Sequence, residues 1–295
     1  MTAPIQGRPV VVTGGGNGIG AALAVEAANR GASAVAVVDV DAAAAQSVVD
    51  ELVASGTAAG AYACDVADAD AVEALADQVV ETHGVPALVC ANAGVMAATM
   101  PLLETPASDA EWVLGVNARG VLHTLQSFGR KLVADVAGGW LMATASEHAL
   151  GVPHLYGGPY TASKHAVLGL CDVLRGELPE HVGISVLCPG LTTSQLWNAT
   201  STRPDSFGGP AEVDPQTGAF MEHAGMDASV VAERAFDALA DGRFMIPTHY
   251  NARVYAEKRA TEAAEAFERL AAIDTTDYDL NTLAADLIAQ LEAGS

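Results

Sequence analysis

Residues Arg8 to Asp39 read R-P-V-V-V-T-G-G-G-N-G-I-G-A-A-L-A-V-E-A-A-N-R-G-A-S-A-V-A-V-V-D, and this stretch decides the fold. A short β-branched run (8–12) leads into T-G-G-G-N-G-I-G from Thr13 to Gly20. A helical apolar pattern follows, and then a second apolar run ends on Asp39. Strand, glycine turn, helix and strand in that order form a βαβ unit. An acid about 20 residues beyond the turn completes the signature of a dinucleotide site. Gly14 permits the tight turn. Gly18 and Gly20, with Asn17 and Ile19 between and beside them, bring backbone and helix N-terminus close to a pyrophosphate, whose charge the free N–H groups favour. Asp39 can accept hydrogen bonds from both ribose hydroxyls of NAD and repels a 2′-phosphate. Neither the turn nor the residues just after Asp39 carry Arg or Lys, so NAD is expected over NADP.

The alternation continues outward. Strands are expected at 58–63, 86–91, 138–146 and 182–190, with helices at 68–83, over a long stretch 108–134, and from Tyr160 onward. The polar candidates fall at strand C-termini, where open parallel sheets bind ligands. Within Ser146–Lys164, Tyr160 and Lys164 stand four apart on a helical pattern and so share a face. The chain has only three lysines, Lys131, Lys164 and Lys258. An ammonium beside a phenol is expected to lower the tyrosine pKa toward working pH, as a general acid/base for alcohol and ketone chemistry requires. A hydroxyl at the preceding strand end, Ser146, with Thr144 as the competing choice, would hold the substrate oxygen.

Composition narrows the function further. The chain has 295 residues, 51% of them hydrophobic, and a formal net charge of −22. That charge, without any Lys/Arg cluster, disfavours nucleic acid and anionic lipid as partners. The apolar residues lie in short broken runs, so no membrane span is expected, and the N-terminus lacks the pattern of a signal peptide; a cytoplasmic location is expected. Cys64, Cys90, Cys171 and Cys188 have no metal-ligand spacing and read as buried free thiols. His223 and His249 read as structural or surface residues.

The set T-G-G-G-N-G-I-G, C-D-V (64–66), N-A-G (92–94), Asn117, Ser146, Tyr160-x-x-x-Lys164 and C-P-G (188–190) resembles the short-chain dehydrogenase/reductase family, in order across residues 8–250. The resemblance implies an α/β fold, a Rossmann-like doubly wound parallel sheet of about seven strands. It also implies a nicotinamide cofactor and a homotetramer or homodimer. By the same resemblance, Tyr160 exchanges the proton with the substrate oxygen, and Lys164 tunes it and holds the nicotinamide ribose. Ser146 polarises the carbonyl, and Asn117 holds a water linking Lys164 to solvent. Asp65 and Val66 resemble the adenine-contacting pair. Asn92, Ala93 and Gly94 resemble the segment beside the cofactor, and Pro189, Gly190, Thr192 and Ser194 the nicotinamide turn. The chain departs from the family pattern at Ala91, Thr192 and Ser194, where asparagine, an apolar residue and threonine are common.

The expected domain spans 1–250, with a Pro/Gly-rich loop at 194–226 read as a substrate lid carrying Trp197, Phe207, Phe220 and Met221; 251–295 is a helical extension ending in an acidic break and a short amphipathic helix. His148, Tyr156 and Trp197 are the candidate substrate contacts. The loop 197–209 and the stretch from 241 to 270 loosely resemble the branch that includes bacterial dehydrogenases of benzylic alcohols in aryl ethers. The expected activity is therefore NAD-dependent interconversion of a bulky, apolar secondary alcohol and its ketone. Another reaction on the same scaffold (epimerase, dehydratase, enoyl reductase) and a non-catalytic NAD-binding protein are the rival readings.

Overall fold

The computed structural model describes residues 5–152, 154–211, 215–271 and 290. Seven strands form one sheet: β1 Val10–Thr13, β2 Ala34–Asp39, β3 Ala58–Ala63, β4 Leu88–Ala91, β5 Gly139–Thr144, β6 Val182–Cys188 and β7 Met245–Pro247. Every pairing is parallel, in the order β3-β2-β1-β4-β5-β6-β7. The helices are α1 Gly18–Asn29, α2 Ala42–Ala54, α3 Ala69–His83, α4 Ala107–Leu114, α5 Val121–Ala134, α6 Gly158–Glu177, α7 Pro215–Ala224, α8 Ala228–Ala240 and α9 Arg253–Ala271.

Side-chain alternation explains why the strands are apolar without a break. In β1, Val10 and Val12 pack with Leu23 of α1, Leu52 of α2 and Phe236 of α8 on one face. Val11 points the other way, into a core with Leu75 of α3, Phe128 of α5 and Val167 of α6. A strand covered on both faces needs apolar residues at every position. Each fully buried valine contributes roughly 1.5–3 kcal/mol against exposure. The chain builds β1, β2 and β3 outward in one direction, then crosses back to lay β4 on the other side of β1. The C-terminal ends of β1 and β4 thus flank the switch point, where such sheets bind ligands.

Three expected elements differ in detail. The stretch 108–134 is two helices, α4 and α5, joined by a π-helical turn at Gly115–Gly120 that contains Asn117. A widened turn of this kind is frequent at functional sites and leaves no mark on hydrophobic periodicity. Strand β5 stops at Thr144, and Ser146 instead caps a short 3₁₀ turn, Glu147–Leu150. The excursion 194–226 is no plain loop: it holds 3₁₀ turns at Leu196–Thr202 and Asp205–Phe207, and then α7. Its helix starts at Pro215, whose missing N–H costs nothing in a first turn. The excursion is closed at its base, because Met226 N–H donates to Leu191 O (2.9 Å) and Thr193 N–H to Met226 O (2.9 Å).

The chain divides into two packed units, Met1–Tyr255 and Ala256–Ser295. The second is described through the end of α9, in which Phe267 and Leu270 are exposed. The acidic break and, residue 290 apart, the amphipathic helix expected after it lie outside the described residues, as does the Met221 side chain. No described helix is long and apolar enough to cross a membrane. The four cysteines are free and buried.

Candidate active site

The glycine turn leaves β1 at Thr13. Gly14 and Gly18 adopt left-handed φ of 62° and 52°. A Cβ at Gly20 would lie 1.9 Å from the Gly14 carbonyl oxygen, so that position admits glycine alone. Asp39, at the end of β2, accepts the Gly16 N–H (2.9 Å) and the Asp41 N–H (3.0 Å). It therefore braces the turn as well as standing beside it. Asp41 and Asp68 cap α2 and α3 with their carboxylates, whereas Asn17 caps α1 with no side-chain hydrogen bond. An uncapped N-terminus behind a glycine turn fits the pyrophosphate of a dinucleotide.

Hydrogen bonds stitch the neighbouring strand ends together. Thr13 Oγ1 accepts the N–H groups of Asn92 (3.0 Å) and Ala93 (3.2 Å) and donates to Cys90 O (3.3 Å). Asn92 Nδ2 donates to the carbonyls of Thr13 and Gly14, while its Oδ1 accepts the Thr144 hydroxyl (3.0 Å). Thr13 and Thr144 thus brace the strand ends, a role that motif spacing did not reveal. Asp65 accepts the Ala67 N–H (2.9 Å), and Val66 O meets His123 Nδ1 (2.9 Å) while its side chain packs over Gly120. Ser194 lies against Gly18, and Thr192 donates to Gly190 O (3.0 Å). The residues expected to bind the cofactor, from the glycine turn to Ser194, therefore converge on one edge of the sheet.

The candidate catalytic groups meet at the same edge. Lys164 is 3% exposed; its Nζ donates to Thr144 O (2.9 Å) and lies 5.4 Å from the Tyr160 ring centre. Thr144 thus spends its hydroxyl on Asn92 and its carbonyl on Lys164, which leaves Ser146 as the hydroxyl beside the phenol. Ser146 is buried, with Oγ directed at Pro189 O (3.4 Å) and accepting the His148 N–H (3.3 Å). The expectation that Lys164 lowers the Tyr160 pKa is corrected. Burial pushes the phenol up to about 12, only partly offset by the nearby Ser146 hydroxyl, and the Glu147 carboxyl raises it further. Burial also pushes Lys164 down, to about 8. Desolvation disfavours the charged form of both groups, and here it outweighs their proximity.

Asn117 is fully buried in the π-helical turn. Its Oδ1 accepts Val95 N–H (2.7 Å), and its Nδ2 donates to Val95 O (2.9 Å) and to Ser163 Oγ (3.1 Å). The amide therefore clamps the segment after β4 onto α6, and these contacts commit the side chain elsewhere than to Lys164. His148 is buried edge-on to Tyr160 (5.1 Å between ring centres), stacked on His154 (4.3 Å), and bonded through Nδ1 to Thr161 Oγ1 (2.8 Å). Burial, reinforced by His154 and Lys164, lowers its pKa to about 3, so the imidazole is neutral.

The rim is different in character. Tyr156 is largely exposed and holds a left-handed φ of 68°, while its carbonyl accepts the Met100 N–H (3.1 Å). Leu102 packs over Gly158, and Leu102, Leu103 and Leu155 are exposed. Trp197 lies against Gly218 of α7, with its indole N–H buried and unpartnered. Phe220 is exposed. Arg203 bonds to Asp109 of α4, which is almost wholly buried, and donates to Gly209 O (2.8 Å). Sequence reasoning missed this ion pair, because 94 residues separate its partners.

A family profile described as short chain dehydrogenase matches residues 8–205. The 1-deoxy-11-beta-hydroxypentalenate dehydrogenase of Streptomyces exfoliatus is 33% identical over 252 residues, covering 85% of this chain and 86% of that protein. The C alpha-dehydrogenase of Sphingobium sp. is 28% identical, covering 80% and 77%. A crystal structure of a short chain dehydrogenase/reductase from Burkholderia phymatum in complex with NAD superposes with a TM-score of 0.83 at 31% identity, covering 93% of this chain and 98% of that one. The probable oxidoreductase EphD of Mycobacterium tuberculosis is 39% identical over 188 residues, and the matched region spans about a third (31%) of its length. The glycine turn, the stitched strand ends and the Ser146, Tyr160 and Lys164 set thus sit in a chain that belongs to the short-chain dehydrogenase family.

Proposed function

We propose that this protein is an NAD-dependent oxidoreductase that interconverts a bulky, apolar secondary alcohol and its ketone. The observation that carries the proposal is the meeting of Ser146, Tyr160 and Lys164 beside the uncapped glycine turn. The bound nicotinamide would give or take the hydride at the carbinol carbon. The Tyr160 phenol, protonated at neutral pH, donates its proton to the substrate oxygen in the reducing direction, while the Ser146 hydroxyl bonds that oxygen. Lys164, buried and held on Thr144 O, would bind a ribose hydroxyl of the cofactor through its ammonium. The proton relay through Asn117 belongs to this proposal through a water held near the residue, since its amide is spent on Val95 and Ser163.

Asp39 supports the choice of NAD: it is a carboxylate at the end of β2 with no basic residue in the adjoining turn, and it would repel a 2′-phosphate. The neutral His148 and the apolar rim of Leu102, Leu103, Leu155 and Tyr156 support an uncharged substrate of some bulk. An aryl or benzylic alcohol is consistent with the likeness to C alpha-dehydrogenase. Assembly as a homotetramer or homodimer, expected from the family resemblance, is part of the same proposal and is tested by light scattering.

The deciding experiment follows nicotinamide absorbance as protein and NAD⁺ meet benzylic aryl ethers, steroids, terpenoids and small aliphatic secondary alcohols. Turnover is expected on one bulky class. Tyr160→Phe is expected to lose on the order of 10²–10⁴-fold in turnover while still binding NADH; wild-type turnover in that variant would sink the assignment.

A further inference from the structure

His249 follows β7, 59 residues after Gly190, yet its ring is bonded to the turn that leaves β6. The Gly190 N–H donates to Nδ1 (3.0 Å), and Nε2 faces Leu191 O at 2.9 Å. A backbone N–H can only donate and a backbone carbonyl can only accept. The imidazole must therefore be neutral, with its proton on Nε2. The Thr248 hydroxyl also reaches Nδ1 (2.8 Å). One ring thus satisfies a donor and an acceptor on consecutive residues of the Pro189–Thr192 turn, and it does so from a different strand.

Space at the turn is equally committed. A Cβ at Gly190 would meet Glu147 Oε2 at 2.6 Å and His249 Cγ at 2.7 Å, so the carboxyl and the imidazole close around this glycine from two sides. Glu147 Oε2 is buried without a hydrogen-bond partner. The charged or titratable groups facing the ring are this carboxyl, from the 3₁₀ turn after Ser146, and the Arg234 guanidinium of α8, which donates to Thr248 O.

We infer that His249 is a positioning residue that shapes the Pro189–Thr192 turn to receive the nicotinamide carboxamide, and that only its neutral form does so. The inference rests on the reading of this turn as the nicotinamide site. Protonation at Nδ1 would replace an acceptor by a donor opposite the Gly190 N–H, and the turn would lose that bond. Burial already lowers the His249 pKa, with Arg234 acting in the same direction and the Leu191 carbonyl opposing. Protonation therefore falls on the acid side of the ordinary imidazole range.

The test is NADH affinity by fluorescence titration between pH 5 and 8, on the full chain, for wild type and the variants His249→Phe, His249→Asn and Glu147→Gln. Phe keeps the bulk and removes both bonds. Asn places a carbonyl oxygen near the position of Nδ1 and has no ionisation. Expected at pH 7.5 are a dissociation constant about tenfold higher for His249→Phe and one within about threefold of wild type for His249→Asn. Wild type and Glu147→Gln should both lose affinity as pH falls through the lowered histidine pKa, while His249→Asn should show no such loss. Wild-type affinity in His249→Phe, even with reduced melting temperature, would overturn the inference alone, since it would make His249 structural. So would an acid limb that survives in His249→Asn or vanishes in Glu147→Gln. Failure of the wild type itself to bind NADH would overturn the cofactor reading and this inference together.

Discussion

The two walls of the site are held in different ways. On the proposed cofactor side, the ends of β1, β4 and β5 are joined by side-chain hydrogen bonds from Thr13, Asn92 and Thr144, and Asp39 braces the glycine turn. Its glycines leave almost no freedom, since a methyl group at Gly14 would press on Ala93 and one at Gly18 on Ser194. On the proposed substrate side, the rim carries exposed leucines, a tyrosine in a left-handed conformation and an indole without a partner. Among the described residues, its excursion is tied by the backbone bonds of Met226 to Leu191 and Thr193, by Ser194 against Gly18, and by the Arg203–Asp109 pair. The difference teaches where specificity can change. A wall stitched through three strands tolerates little alteration, whereas a rim built on exposed side chains can be reshaped while the edge that carries Ser146, Tyr160 and Lys164 stays in place.

The sharpest way to break this comparison is to release one of those ties. Arg203→Met leaves the Asp109 carboxylate buried without its cation, and the unfolding free energy is expected to fall by about 3 kcal/mol, measured by denaturant titration at pH 7. A loss below about 1 kcal/mol would show that the pair does not pin the excursion.

Lys164 gives the next effect. Its pKa is lowered by burial, so between about pH 8 and its ordinary 10.5 the unfolded chain binds more protons than the folded one, and this group's contribution to stability rises with pH. The buried thiols act oppositely, since Cys64, for example, is pushed up to about 11 and its contribution is lost above its ordinary value. The comparison of wild type with Lys164→Met cancels the thiols. Lys164→Met is expected to be the more stable at pH 8, and its advantage should shrink by on the order of 2 kcal/mol by pH 10. An advantage that holds constant over that range contradicts the burial argument.

On the cofactor side, Asp39→Ser should weaken NADH binding by about tenfold, through loss of charged hydrogen bonds, and narrow the gap to NADPH. Equal discrimination in the variant would mean that another group selects the cofactor. The smallest effect is at the rim. Tyr156→Gly relieves a left-handed backbone and is expected to raise stability by about 1 kcal/mol. Its KM for a bulky alcohol should rise while cofactor affinity stays unchanged; a parallel change in both would mean that the two walls are not independent.

Much of the cofactor wall was legible in the sequence because its constraints are local. Gly14, Gly18 and Gly20 are required by a turn only a few residues long, and Asp39 stands at the end of the next strand. The β-branched runs announce strands covered on both faces. The pair Tyr160 and Lys164 is legible because helical spacing alone puts them on one face. The substrate wall was read as a loop because Pro, Gly, Ser and Thr mask the short helical turns at 196–202 and 205–207 and helix α7, which depend on distant contacts such as Arg203 with Asp109.

What the sequence by itself determined is the alternation of strands and helices, the glycine turn with Asp39, and the Tyr160 and Lys164 pair, since periodicity, glycine geometry and residue spacing act within a few residues; the parallel sheet and the remaining groups at its edge were expected from the family resemblance. Only the tertiary structure decided their states. Burial raises the Tyr160 pKa and lowers that of Lys164, because desolvation depends on what packs around a group. The same folding turns Asn117 into a clamp on Val95 and brings the His249 ring to Gly190, contacts between residues 22 and 59 positions apart that no local pattern encodes.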